Sequence, residues 1–141
     1  MTFPLIGLWR FINYTVCNMT KEKSIFDSDK EPEEIDKKKV VQLNDCLRTT
    51  FEGGRIVCTP GIAHLRESTY LKIFHKLREF NDFNPENDPY GEHDIGSIKA
   101  DGTTVFWKID YYDNNLEYHS PAKDNPKVTN RVLTVMLPEE Y

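Results

Sequence analysis

The dipeptide Asp101-Gly102 sits between two runs of alternating apolar residues, in "EHDIGSIKADGTTVFWKIDYYD". Both positions of a two-residue hairpin turn need positive φ, which Asp and Gly tolerate, so the pair is a strong hairpin signal. Such a turn sets the register of both strands. Ile98 then faces Val105, Gly96 faces Trp107, Asp94 faces Ile109 and His93 faces Asp110. A slip of one residue would move every side chain to the other face. In this register Trp107 shares the core face with Gly96 and can lie over the gap the glycine leaves. Asp94 falls on that face too, and a buried carboxylate requires hydrogen-bond partners. The amides of the Pro89-Gly91 turn, or the hydroxyl of Tyr111, are the expected ones, so that Asp94 would staple the turn to the sheet.

That turn is itself legible. In "NDPYGEHDIG", Asp88-Pro89-Tyr90-Gly91 fits a type I turn: Asp at the first position, Pro fixing φ at the second, Gly at the fourth. Upstream, Ile35, Val40, Leu43, Leu47 and Phe51 recur at near-helical spacing, with Glu33 and Glu34 in the first turn. Gly53 or Gly54 should close this helix in the left-handed conformation. "RIVCT" reads as a short strand ended by Pro60-Gly61. A second helix covers "STYLKIFHKLREF", with Tyr70, Ile73, Phe74, Leu77 and Phe80 on its apolar stripe and His75 on its solvated side. "DNNLEYHSPAKDNPKVTN" reads as a long loop with a short edge strand at 116–118, and "RVLTVML", apolar at alternate and intervening positions, as a central strand covered on both faces. The expected architecture is α+β: two helices packed on one face of a mostly antiparallel sheet of four to five strands, over residues 35–141.

Residues 19–34 are polar and charged and read, with what precedes them, as a disordered or extended tail over 1–34. "FPLIGLWRFINYTV" is too short and too interrupted by Arg10 and Asn13 to span a bilayer, and Met19 would serve as an alternative start. Cys17, Cys46 and Cys58 form no C-x-x-C pair, which reads as reduced thiols in a cytoplasm.

Four blocks, "LNDCLRTTFEGGRIVCTPGI", "NDPYGEHDIG", "WKIDYYD" and "RVLTVMLPEEY", resemble a family of small bacterial proteins classed as a domain of unknown function. Its members are frequent in alphaproteobacteria and on mobile elements. The resemblance runs from Leu43 to Tyr141 and implies a cytoplasmic accessory protein; it implies no activity and no catalytic residues.

For chemistry, the charge distribution speaks first. The chain carries a net charge of −5, which argues against nucleic acid as partner. Ten acids between Asp82 and Asp124 face three lysines, a local charge of −7. Such a field can present a protein-binding surface, with Tyr90, Tyr112 and Tyr118 as anchors beside Glu92 and Asp113, or it can hold a divalent cation. The sharper constellation is a cross-strand pair of His93 with Asp110. As a catalytic pair or metal site it would recruit Asp113 or His119 from the loop; as architecture it would contribute roughly 0.2–1 kcal/mol to the hairpin. Asp88, Pro89, Gly91, Asp94, Gly96, Asp101, Gly102 and Trp107 are read as structural. "DFNPENDPYGEH" fails as a calcium loop, with Asn87 in place of Gly and His93 in place of Glu. The "HD" of the stretch lacks the upstream helical histidines of a metal phosphohydrolase, and no P-loop, G-x-S-x-G or H-E-x-x-H occurs. No cofactor is implied. A non-enzymatic, macromolecule-binding protein is the leading expectation and a metal-assisted hydrolase or nuclease the rival.

Overall fold

A computed structural model describes residues 34–141. The expectations about the apolar start, Met19 and the charged tail fall on residues outside that range. The chain forms α1 (Lys37–Thr50), β1 (Arg55–Cys58), α2 (Pro60–Ala63), α3 (Glu67–Glu79), β2 (Ile95–Ala100), β3 (Thr103–Tyr112), β4 (Asn130–Met136) and a 3-10 turn at Pro138–Glu140. The four strands make one sheet in the order β1-β4-β3-β2.

The hairpin register is the expected one. Gly96 pairs with Trp107, Ile98 with Val105 and Ala100 with Thr103, and Asp101 and Gly102 take φ of 49° and 78°. A methyl group on Gly96 would lie 2.6 Å from Trp107 Nε1, so the indole, with no exposed surface, covers the glycine. β3 pairs antiparallel with β4.

Three expectations about the architecture are corrected. The sheet is mixed: β1 runs parallel to β4, with Ile56 opposite Leu133. The described residues form four strands, the lower of the two numbers expected, and the edge strand expected at 116–118 is replaced by an isolated bridge between Tyr112 and His119. The described helices number three, because Pro60 at the first position starts one extra helical turn.

β4 is central in the sheet, but its burial alternates. Arg131, Leu133 and Val135 are buried on the helix side, while Val132 and Thr134 are only half-buried on the other. Leu47 of α1, Ile62 of α2 and Ile73 and Leu77 of α3 join Ile56, Ile98, Val105, Trp107, Ile109, Leu133 and Val135 in one core. The three helices therefore cover one face of the sheet, as expected for the longer two.

The ends of α1 differ in detail from the expectation. The acid that caps it is Asp36, whose carboxylate accepts from the amides of Lys38 and Lys39 at 3.0 and 3.3 Å. Its C-cap is Phe51 rather than a glycine, held at φ 60°. The ring pays for that conformation by packing edge-on against Phe74 at 5.7 Å. Gly54 is needed for close approach instead, since a methyl there would meet the Arg131 carbonyl at 2.6 Å.

No described helix is long and apolar enough to cross a membrane. Cys58 is free and buried, while the expectation about Cys17 falls on a residue outside the described range.

Candidate functional site

Three segments converge at one end of the sheet: the middle of α1, the turn before β2, and the loop between β3 and β4. What joins them is a buried polar network. Asn44 has no exposed surface although α1 would accept an apolar residue there, since Val40, Leu43 and Leu47 share its side of the helix. Its amide donates to the Glu92 carbonyl at 2.8 Å and to the Tyr111 hydroxyl at 2.6 Å. Its oxygen accepts from Arg131 Nε at 2.9 Å. The Arg131 guanidinium lies over the Tyr111 ring at 5.4 Å and donates to the Lys123 carbonyl. Lys123 in turn pairs with the buried Glu92 at 2.5 Å. Every member therefore has a partner, the condition under which a buried polar cluster is stabilising.

The turn before β2 is organised by Asp88. Gly91 N–H closes the type I turn on the Asp88 carbonyl at 3.0 Å. The Asp88 carboxylate, almost fully buried, accepts from the amides of Glu92 and His93, both at 3.1 Å. The stapling expected of Asp94 thus belongs to Asp88, because only Asp88 lies N-terminal to the amides that must be capped. Asp94 does meet its other expected partner, accepting weakly from the Tyr111 hydroxyl at 3.4 Å.

Burial raises the Asp94 carboxyl above its ordinary value, and the nearby Glu92 and Asp88 carboxylates push the same way. Desolvation raises the Tyr111 phenol as well, with Asp94 adding to it. A folded-state value above the unfolded one means that ionised Asp94 costs stability at neutral pH. That cost is released as pH falls through the folded value toward the unfolded one. Asp94→Asn should therefore stabilise the protein at pH 7, by roughly 0.5 kcal/mol given its partial exposure. The difference from wild type should shrink on acidification, which urea unfolding at several pH values will measure. A gap that widens toward low pH would contradict this sign.

His93 departs most from expectation. Its φ of 55° turns the chain before β2 begins, so the strand does not extend back to place it opposite Asp110. Its Nδ1 instead meets the Asp45 carboxylate of α1 at 2.9 and 3.1 Å, and its ring stacks on Phe83 at 3.7 Å with 4° between planes. A carboxylate only accepts, so it is Nδ1 that presents a proton to Asp45. Asp45 also takes Arg48 Nη2 at 3.0 Å, and Arg48 donates onward to the carbonyls of Leu77 and Arg78.

Asp110 lies on the face of the sheet away from the helices, paired with Lys108 at 3.0 Å. Asp113 is occupied in its own loop, accepting from Glu117 N–H at 3.0 Å. His119 lies parallel to Tyr112 at 6.4 Å. The set of His93, Asp110 and Asp113 is not assembled, and among the described residues no group of three or more His, Cys, Asp or Glu is placed to hold a metal. Asp110→Ala should change stability by no more than about 0.5 kcal/mol, as for a solvated pair. His93→Ala should cost about 2 kcal/mol, through the lost stack and charge-assisted bond. His93→Gly should melt above His93→Ala because glycine accepts the positive φ. Equal melting of the alanine variants would refute this division of roles.

Of the expected binding residues, Tyr90 and Tyr118 are 72% and 73% exposed. Tyr112 and Asp113 are half-buried. Glu92 is buried and neutralised by Lys123, so it is not available at the surface. Cys58 is a poor nucleophile, since burial pushes its thiol up to about 12.

A family model described as "Protein of unknown function (DUF3768)" matches residues 58–140. No curated protein and no solved structure matches the chain. The matched segment contains the Asp88 turn, His93, Tyr111, Lys123 and Arg131, while Asn44 and Asp45 precede it.

Proposed function

The chain belongs to the DUF3768 family of proteins of unknown function, and on that premise we propose that it is a small, cytoplasmic, non-enzymatic accessory protein that binds a protein partner through the loop end of its sheet. The observation that carries this reading is the contrast between a locked base and an open top. Asn44, Glu92, Arg131 and Lys123 tie the loop before β2 to the loop after β3. In these same two loops Tyr90 and Tyr118 expose most of their surface. Tyrosines contribute disproportionately to interfaces, and a preorganised support lowers the entropy lost on binding. The surrounding Asp82, Glu86 and Glu117 are exposed and favour a partner with basic groups.

The test is affinity capture from the cognate cell extract with mutual confirmation by purified components. A specific protein should be retained by wild type and weakened at least about tenfold by the double variant Tyr90→Ala/Tyr118→Ala, the scale of one hot-spot side chain. Both chains should melt alike. Retention unaffected by the double variant would refute the reading.

A second reading rests on His93, whose ring is pinned by Asp45 and Phe83. That arrangement suits a general base in hydrolysis. Turnover of activated ester or phosphodiester substrates, lost a hundredfold or more in His93→Ala and dependent on a deprotonated histidine, would favour it over the binding role. No turnover above background removes it.

A further inference from the structure

The edge of the sheet at β2, apart from the tyrosine-bearing loops, carries a site of its own. Ile109 N–H donates to the Asp94 carbonyl at 2.7 Å. Antiparallel alternation then directs the backbone groups of Gly96, Ile98 and Ala100 toward β3, and those of Ile95, Ser97 and Lys99 away from it. β2 is an outer strand. Among the described residues the amides of Ile95, Ser97 and Lys99 find no hydrogen-bond partner on that side. Only the Lys99 carbonyl is engaged, by Lys76 Nζ at 2.5 Å.

Alongside this edge, on the face opposite the helices, runs a groove of about 250 Å³ lined by Ile95, Ser97, Phe106, Met136 and Tyr141, with Lys108 at its side. Ser97 is the smallest of these and stands on the outer strand, so the groove is open from the edge. Side chains of an added strand alternate between faces. Every second side chain of a segment paired to β2 would therefore stand beside Ser97, over the apolar floor formed by Phe106 and Met136.

Charge selects among occupants. Lys76 and Lys99 are exposed, and neither has a carboxylate partner among the described residues, whereas Lys72 and Lys108 are paired with Asp101 and Asp110. In a chain of net charge −5 this edge is locally positive. Pairing β2 with its own copy would bring lysines of both edges together, which edge lysines ordinarily oppose. We propose that the β2 edge and its groove bind an extended, acidic peptide segment of another protein by strand addition, with an apolar side chain of that segment seated in the groove.

A displayed pool of random nonapeptides, selected on the full chain, tests this. Sequences richer in Asp and Glu than in Lys and Arg, with apolar residues at alternate positions, should be enriched. Their binding should fall at least tenfold on Ser97→Pro, which removes an outward N–H without touching the β2–β3 ladder. It should fall likewise on Lys99→Glu, which leaves the backbone intact should the proline variant fold poorly. Tyr90→Ala/Tyr118→Ala should leave this binding unchanged, so the edge site can fail or hold independently of the loop site. Failure to enrich any sequence, enrichment of basic sequences, or binding indifferent to both edge variants would overturn the proposal. So would a dimer in sedimentation that Lys99→Glu alters while no peptide is selected, which would assign the edge to a second copy.

Discussion

Asn44→Leu should lower the unfolding free energy by about 3 kcal/mol or more, a fall in the midpoint upward of roughly 10 °C for a domain of this size. The side chain it removes is nearly isosteric with leucine, so cavity formation is not the cause. What is lost is the partner of three groups at once: the Glu92 carbonyl, the Tyr111 hydroxyl and Arg131 Nε. Each is then left in a place water reaches poorly. The guanidinium is the costliest, because Arg131 is 1% exposed and a buried charge that loses one of its hydrogen bonds is penalised more than a neutral group. The same argument predicts partial recovery in the double variant Asn44→Leu/Arg131→Met, where the buried charge that Asn44 helps to satisfy is gone. Urea unfolding of the three chains measures both effects. A single variant within about 0.5 kcal/mol of wild type would show that water satisfies the network once Asn44 is removed.

Trp107→Ala should cost about 3–5 kcal/mol, the range for deleting a fully buried large aromatic side chain. Phe80 and Phe83 stand edge-on to the indole at 5.5 and 6.2 Å, so its loss leaves them facing a void as well. The more informative variant is Gly96→Ala. Its methyl would lie 2.6–2.7 Å from three indole atoms, too close for any real contact, and should cost about 1–3 kcal/mol through forced repacking. In a Trp107→Leu background the clash disappears and alanine at position 96 should be close to neutral. A double-mutant cycle should thus show a coupling of at least about 1 kcal/mol between the two sites. Additive costs would mean that the glycine serves the backbone rather than the ring.

The hairpin was legible because its information is local. Asp101-Gly102 sets the turn, and alternation carries the register as far as Asp94 and Ile109. The same logic fails one residue further on. Nothing near His93 announces that it will adopt positive φ, and the residues that draw it there, Asp45 and Phe83, lie on other elements. Asp110 differs from expectation for the same reason: with His93 turned away, its charged neighbour is Lys108. Asn44 could have been found, since a polar residue on the apolar side of an amphipathic helix needs a partner, as could Arg131, at the head of a strand whose buried alternation runs through Leu133 and Val135. Which groups satisfy them depends on how α1 docks, and no spacing in the sequence fixes that. The parallel pairing of β1 was hidden for the same cause. A four-residue strand followed by Pro-Gly carries no signal for the distant strand beside which it will lie.

The parallel contact of β1 with β4 also sets an order of assembly. Ile56 must wait for Leu133, whereas β2 and β3 can meet across a two-residue turn as soon as both are made. During synthesis the hairpin can therefore form while "RIVC" remains unpaired. Contacts so far apart in sequence slow folding through the entropy of closing the intervening loop. Until β4 arrives, the apolar sides of β1 and β3 are both unsatisfied, and they form the stretch of the nascent chain most in need of protection from other chains.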